Sequence, residues 1–303
     1  MADFKNKFSW SKSRDSIFRD CKRKYFFNYY GSWGGWEISS PERIKKIYYL
    51  KKINTKEIWI GKIIHETIEY ILKKFKQGEK ISLSHALAIV RKRLEVEYNQ
   101  SLIKSYTGFP SKLNRFFEHE YDLEISEEEK KNLFEKAEKC LINFYNSDIF
   151  IEIRNTPLEN WLLLEDFLSF DFEGNIFYLS IDFAMKKEDK IILYDWKTGK
   201  ERTAEFDLQL MLYSLYVQEK FKISSDKIIA RVFNLALNKV DDFVVDNEKL
   251  GKAKEYAKKS MDEMKSLLIN VKENTAREED FPKEEGFYCN RCNFKKICNE
   301  KNK

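Results

Sequence analysis

Residues 191–199 read Ile-Ile-Leu-Tyr-Asp-Trp-Lys-Thr-Gly. An apolar run delivers Asp195, skips Trp196 and presents Lys197 ahead of a Thr-Gly turn. On a strand alternate side chains share a face, so Asp195 and Lys197 point one way and Trp196 the other. A carboxylate can hold a hard cation, and a neighbouring lysine can orient a water or steady developing negative charge. The pair suits metal-assisted hydrolysis of a phosphodiester. A strand end with a surface acid and a surface lysine would look the same, so companions must decide. Asp182 lies one strand earlier, in Tyr178-Leu-Ser-Ile-Asp-Phe-Ala184. Two carboxylates on adjacent strands repel unless a cation neutralises them. His65 follows a glycine by four residues in Gly61-Lys-Ile-Ile-His65. Gln209 and Tyr213 sit four residues apart, on one face of a helix. His85 and His119 have no evident companions.

The elements that must position these residues are legible in outline. Residues 11–30 read as one helix, capped by Ser11 or Ser13, with Ile17, Phe18, Cys21, Tyr25 and Phe26 at helical spacing. Gly31-Ser-Trp-Gly-Gly35 ends it. A second helix is expected over 55–76, burying Ile60, Ile64, Ile68, Ile71, Leu72 and Phe75. Helices over 84–105 and 126–146, joined by a loop holding Gly108-Phe-Pro110, read as a helical insertion over 80–150. Runs at 160–170, 176–186 and 190–196, parted by Glu173-Gly-Asn175 and Lys187-Glu-Asp189, read as a β-meander. A helix over 203–222, strands over 227–237 and 239–245 turning at Asn238, and a charged helix over 247–273 complete the chain.

Composition bounds the class. The 303 residues are 43% hydrophobic with only 10 Gly and 4 Pro, so long regular elements around a real core are expected. No apolar run reaches spanning length and the N-terminus lacks a signal-peptide core, so the cytoplasm is the default location. A net charge of +5 is weak evidence for nucleic acid, and local clustering would have to supply phosphate attraction. No Gly-x-x-x-x-Gly-Lys phosphate loop occurs, so any unwinding needs another chain. Cys289, Cys292 and Cys298 give three soft ligands in ten positions. Cys21 or Cys140 must supply a fourth. Four thiolates suit Zn²⁺ or an iron–sulfur cluster, and spacing does not separate them.

In chain order, Gly-x-x-x-His, a strand acid, Asp-x-Lys and Gln-x-x-x-Tyr resemble the PD-(D/E)XK nuclease superfamily, specifically its RecB-like branch. The resemblance implies a single α/β domain over 1–303 with a restriction-endonuclease-like core: a small mixed sheet flanked by helices, plus the helical insertion. It implies that His65, Asp182 and Asp195 ligate Mg²⁺ or Mn²⁺, helped by the main-chain carbonyl of Trp196. Lys197 is then the catalytic lysine, Glu165 on the preceding strand an additional acid, and Gln209 and Tyr213 supporting residues. Ser180 departs from the glycine often found two residues before the strand acid. Some members of the branch, including the AddB type and CRISPR-associated exonucleases, pair one N-terminal cysteine with three C-terminal ones around a 4Fe–4S cluster. The opening Ser11-Lys-Ser-Arg-Asp-Ser-Ile-Phe-Arg-Asp-Cys21 looks like theirs, although Lys22 replaces the usual proline. The resemblance therefore assigns Cys21, Cys289, Cys292 and Cys298 to a structural cluster joining the two chain ends. Cys140 is left as a buried helix residue.

Arg14, Arg19, Lys22, Arg23 and Lys24 near Cys21, with Arg291, Lys295 and Lys296 in the cysteine tail, would merge into a basic patch for phosphates. Trp33, Trp36, Tyr25 and Tyr29 are candidates to stack on unpaired bases. The expected function is a metal-dependent exonuclease preferring single-stranded DNA, in repair, recombination or CRISPR adaptation, with a helicase or integrase as possible partner. The alternatives are a DNA-end-binding or assembly subunit with little cleavage of its own, and a zinc-stapled structural protein.

Overall fold

The computed structural model describes residues 5–104, 114–199 and 204–298. The Gly108-Phe-Pro110 loop and Thr203 lie outside these residues. The chain opens with a short strand, β1 (Ser9–Trp10), then α1 (Lys12–Asp20), α2 (Lys22–Phe26), a π-helical turn over Phe27–Gly31 and α3 (Glu42–Lys51). The single helix expected over 11–30 is therefore broken. Cys21 is extended at φ −172°, ends α1 and starts α2, so its side chain leaves the helical stripe. Neither β1 nor α3 was foreseen. Two residues are too few for a period, and α3 follows a Gly-rich turn without a side-chain cap.

Next come α4 (Lys56–Lys76), α5 (Leu83–Leu102), α6 (Phe117–Glu120), α7 (Glu127–Asn146) and α8 (Asp148–Asn155). Thr55, Ser82, Ser126 and Ser147 cap α4, α5, α7 and α8, each accepting a backbone N–H in the first turn. The meander follows as β2 (Trp161–Phe172), β3 (Asn175–Lys187) and β4 (Lys190–Lys197). Then come α9 (Ala204–Phe221), β5 (Ile228–Asn234), β6 (Lys239–Val244), α10 (Asn247–Lys265) and the last turn α11 (Lys295–Cys298). The charged helix expected to reach 273 stops at Lys265, after which the chain turns back and Asn270 bridges Thr275.

The fold is mixed α/β, as expected. Among the described residues six strands form one sheet in the order β1-β3-β4-β5-β6, with β2 on the other side of β3. β2, β3 and β4 are antiparallel, β4 and β5 parallel. Two buried clusters cover the sheet's faces. One joins α1, α2, α9 and α10 to Leu193, Ala230 and Val232; the other joins α4, α5, α7 and α8 to Tyr194, Trp196 and Phe233. Alternation along β4 thus sends Leu193 and Trp196 to opposite cores. The chain ends meet through buried polar contacts: the Ser260 and Tyr256 hydroxyls donate to Asp15 at 2.6 and 2.8 Å, and Trp10 Nε1 donates to Ser260 at 2.9 Å.

Alternation slips beside the acids. On β3, Ile181 and Ala184 face the same core, as do Leu163 and Leu168 on β2. An odd spacing between two inward residues means one face change in each strand. Both changes fall beside Glu165 and Asp182. Glu165 itself adopts φ +48°, a left-handed backbone inside a strand. Such a conformation costs on the order of 1–3 kcal/mol and characteristically re-aims side chains at functional sites.

Candidate active site

Asp195 and Lys197 leave β4 on the α9 side, while Trp196 is fully buried among the α4–α8 helices. The β3–β4 ladder pairs Phe183 with Tyr194, so one step further Asp182 stands opposite Asp195. Both acids are nearly inaccessible, at 6% and 3% exposure. The Trp196 N–H donates to Asp182 Oδ2 at 2.6 Å, fixing one carboxylate against the other strand's backbone. From above, α4 brings His65. Its approach depends on Gly61, where a methyl group would sit 3.1 Å from Thr198 Oγ1 at the end of β4. One helical turn later, His65 Nδ1 lies 3.2 Å from Asp182 Oδ1 and 3.6 Å from Glu165 Oε1.

His65, Glu165 and Asp182 offer ligand atoms within 4.8 Å of one another, the only such group among the described residues. Asp195 stands beside this triplet, 2.8 Å from Lys197 Nζ. Lys197 Nζ also donates to Gln209 Oε1 at 3.2 Å, and Gln209 Nε2 donates to the Tyr213 hydroxyl. Helix α9 thus steers the lysine through the i, i+4 pair seen in the sequence. Together with Ser11–Arg14, Phe167 and Tyr178 these residues line a cleft of about 720 Å³.

The electrostatics are those of a cation site. Burial pushes the Asp195 carboxyl up to about 6, against the pull of Lys197 and with repulsion from Asp182. Burial likewise lifts Glu165 to about 7, with His65 opposing. Burial disfavours a charged His65, yet Asp182 and then Glu165 raise its pKa well above 6.5. Glu165 Oε1 and Asp195 Oδ2 are buried and accept no directed hydrogen bond; Lys197 meets the latter as an ion pair only. Leaving such oxygens unsatisfied is costly. Three carboxylates and an imidazole suit Mg²⁺ or Mn²⁺, so the residues present fit a divalent ion.

Of the cations expected at nucleic acid, Arg14 alone lines this cleft. Its guanidinium rests 4.1 Å from the Tyr29 ring centroid and donates to the Ser9 carbonyl at 3.2 Å. Five of the others meet acids: Arg19 pairs with Asp15 and Glu263, Arg23 with Glu278, Lys24 with Asp20, Lys22 with Glu284 and Lys296 with Glu120. The expected basic patch is largely neutralised by carboxylates distant in sequence. Tyr25 is fully buried against Phe18 and Phe281 and cannot stack on a base. Trp33 and Trp36 are exposed but lie outside the cleft. His119 is structural, buried against Phe116 and hydrogen-bonded to Ser101 at 2.9 Å.

Cys21, Cys289, Cys292 and Cys298 line a second cavity, of about 330 Å³, with Lys24, Phe27 and Phe294. The fold brings the four to one place but not to one another: no three of their sulfurs lie within 4.8 Å. A tetrahedral zinc site, with Zn–S near 2.3 Å, is not preformed there. Burial raises the Cys292 and Cys298 thiols. Cys140 is buried on α7, as expected.

The family model of the PD-(D/E)XK nuclease superfamily matches residues 9–299. The chain belongs to that superfamily, and its class of chemistry is metal-dependent nuclease hydrolysis. No curated protein matches the chain. No helix among the described residues is long and apolar enough to cross a membrane.

Proposed function

We propose that this protein is a deoxyribonuclease of the RecB-like branch that digests DNA from ends and prefers single strands. The observation that carries the reading is the gathering of His65, Glu165 and Asp182, with Asp195 and Lys197 alongside, in one open cleft. His65, Glu165, Asp182 and Asp195 would hold Mg²⁺ or Mn²⁺, with the Trp196 carbonyl as a further oxygen donor. The bound ion would supply Lewis-acid neutralisation of the scissile phosphate. Lys197 Nζ, tethered by Gln209, orients the attacking water and balances charge at the phosphorus. Tyr213 holds Gln209, and burial keeps its phenol protonated.

The second part of the proposal is a 4Fe–4S cluster on Cys21, Cys289, Cys292 and Cys298. Four soft ligands line one cavity, and a cubane cluster spreads its thiolates wider than a single zinc ion does. Its role is to fasten chain ends that Asp15, Ser260 and Arg23 already hold near each other. The domain reading follows: one nuclease unit over 1–303, with the 80–150 region as its insertion. Repair, recombination or CRISPR adaptation is the setting, with a helicase or integrase as possible partner.

The test is a substrate panel with Mn²⁺ and anaerobically purified protein: linear and circular DNA, single- and double-stranded, each with an RNA counterpart. Linear single-stranded DNA should be degraded fastest and circles spared. Cleaved circles would overturn the end preference, and faster RNA cleavage the DNA preference. A brown preparation with visible absorbance supports the cluster; a colourless, zinc-loaded one overturns it.

A further inference from the structure

Beyond the face change at Glu165 and Asp182, the β2–β3 hairpin turns two rings away from its core. Leu168, Phe170, Phe177 and Leu179 pack inward, so Phe167 and Tyr178 take the opposite face. Phe167 is 74% exposed. Its ring stacks on Tyr178 with centroids 5.0 Å apart and planes 22° apart, its one ring contact among the described residues. Burial does not explain this pair, because an exposed phenylalanine on a strand adds little to folding. Its position does offer an explanation. Both rings line the cleft that holds the acids, and Phe167 is two residues from Glu165, at most about 7 Å by chain reach, the span of one nucleotide. Arg14 lines the same cleft, with no carboxylate partner among the described residues.

We infer that Phe167 and Tyr178 form a stacking platform for an unpaired base next to the scissile phosphate, with Arg14 facing the strand's backbone. Every base has a π-face, so such a platform tolerates any sequence. It does not tolerate pairing: a base inside a duplex has both faces covered by its neighbours and must be unstacked first. The platform is therefore what selects single or frayed strands. The inference deepens the deoxyribonuclease reading and rests on it. It also moves the stacking role from Tyr25, Tyr29, Trp33 and Trp36 to a pair on the catalytic hairpin.

The test uses the full chain in Ca²⁺, to read binding without turnover, and a short single-stranded oligodeoxynucleotide carrying 2-aminopurine near one end. Stacking should quench its fluorescence. Phe167→Leu and Tyr178→Leu should each abolish the quenching and weaken single-strand binding about 5- to 100-fold, while a blunt duplex competitor changes by less than about threefold. Phe167→Trp should restore both signals. Thermal unfolding should be unchanged in Phe167→Leu, because the side chain lies in water. Quenching and affinity unchanged in both leucine variants would overturn the platform, as would equal loss for single strand and duplex. In either case wild-type binding and cleavage of single strands would leave the nuclease reading intact. A wild type that neither binds nor cleaves DNA would instead overturn the nuclease reading, and the platform with it.

Discussion

The acid cleft and the cysteine cavity both collect chemistry from distant parts of the chain, but they are built differently. The acids ride on neighbouring strands whose register is locked by main-chain hydrogen bonds, and a backbone N–H already holds Asp182. His65 and Gln209 come from long helices packed on the sheet. That site is organised before any ion arrives, at the cost of buried carboxylate oxygens that accept no directed hydrogen bond. The cysteines sit on a helix break at Cys21 and on short turns over 287–298, with sulfurs that do not converge. There a bound group would have to draw the ligands together. A preorganised site exchanges its ion without unfolding, whereas an unorganised one owes part of its structure to what it holds.

The largest expected effect is at the lysine. Lys197→Ala should lower cleavage by at least ~10²-fold, the scale of losing one preorganised charge at a transition state, in a protein that still folds; near-wild-type turnover would remove it from the chemistry. Next is Cys292→Ser, which should lower the melting temperature by several degrees and release the metal or cluster, while Cys140→Ala should keep the bound group. Equal loss in the two variants would mean a packing defect rather than a ligand.

A chelation experiment sharpens the comparison. Brief EDTA treatment should abolish cleavage and Mn²⁺ should restore it, with visible absorbance and folding unchanged throughout. Loss of folding together with activity would make the acid cleft as dependent on its ion as the cysteine cavity. The pH dependence follows from the raised carboxyl pKa values of about 6 for Asp195 and about 7 for Glu165. Raised values favour the protonated acids, so without metal their contribution to stability is present at low pH and is lost as pH rises through 6–7. A divalent ion binds the deprotonated acids, so its stabilisation should grow over the same window. Melting curves should show a small Mn²⁺ increment near pH ~5.5 and a larger one near pH ~8; a constant increment would exclude these acids as ligands. The smallest effect is Gln209→Ala, about 3- to 10-fold in kcat, because Lys197 keeps its contact with Asp195. A change in KM alone would move Gln209 from positioning the lysine to binding substrate.

How much of this was legible in the sequence depended on regularity. Asp182, Asp195 and Lys197 could be placed because strands alternate, and Gln209 with Tyr213 because helices repeat; the structure joins all five. Cys21 could be paired with the C-terminal cysteines only by resemblance, and its break in the first helix was hidden by apolar residues that kept helical spacing on both sides. The left-handed turn at Glu165 and the face change beside it had no sequence signal, since neither glycine nor proline marks them. They are what exposes Phe167. Basic residues misled for a different reason: the acids that neutralise Arg19 and Arg23, Glu263 and Glu278, lie more than two hundred residues away, and only the fold brings them together.

On the proposed reading, Asp195 and its neighbours form a metal-dependent phosphodiesterase centre. The most direct test incubates wild-type protein and Asp195→Ala with end-labelled single-stranded DNA and Mn²⁺. Shortened products are expected from the wild type only, with both proteins folded. Cleavage by Asp195→Ala at the wild-type rate would contradict that reading.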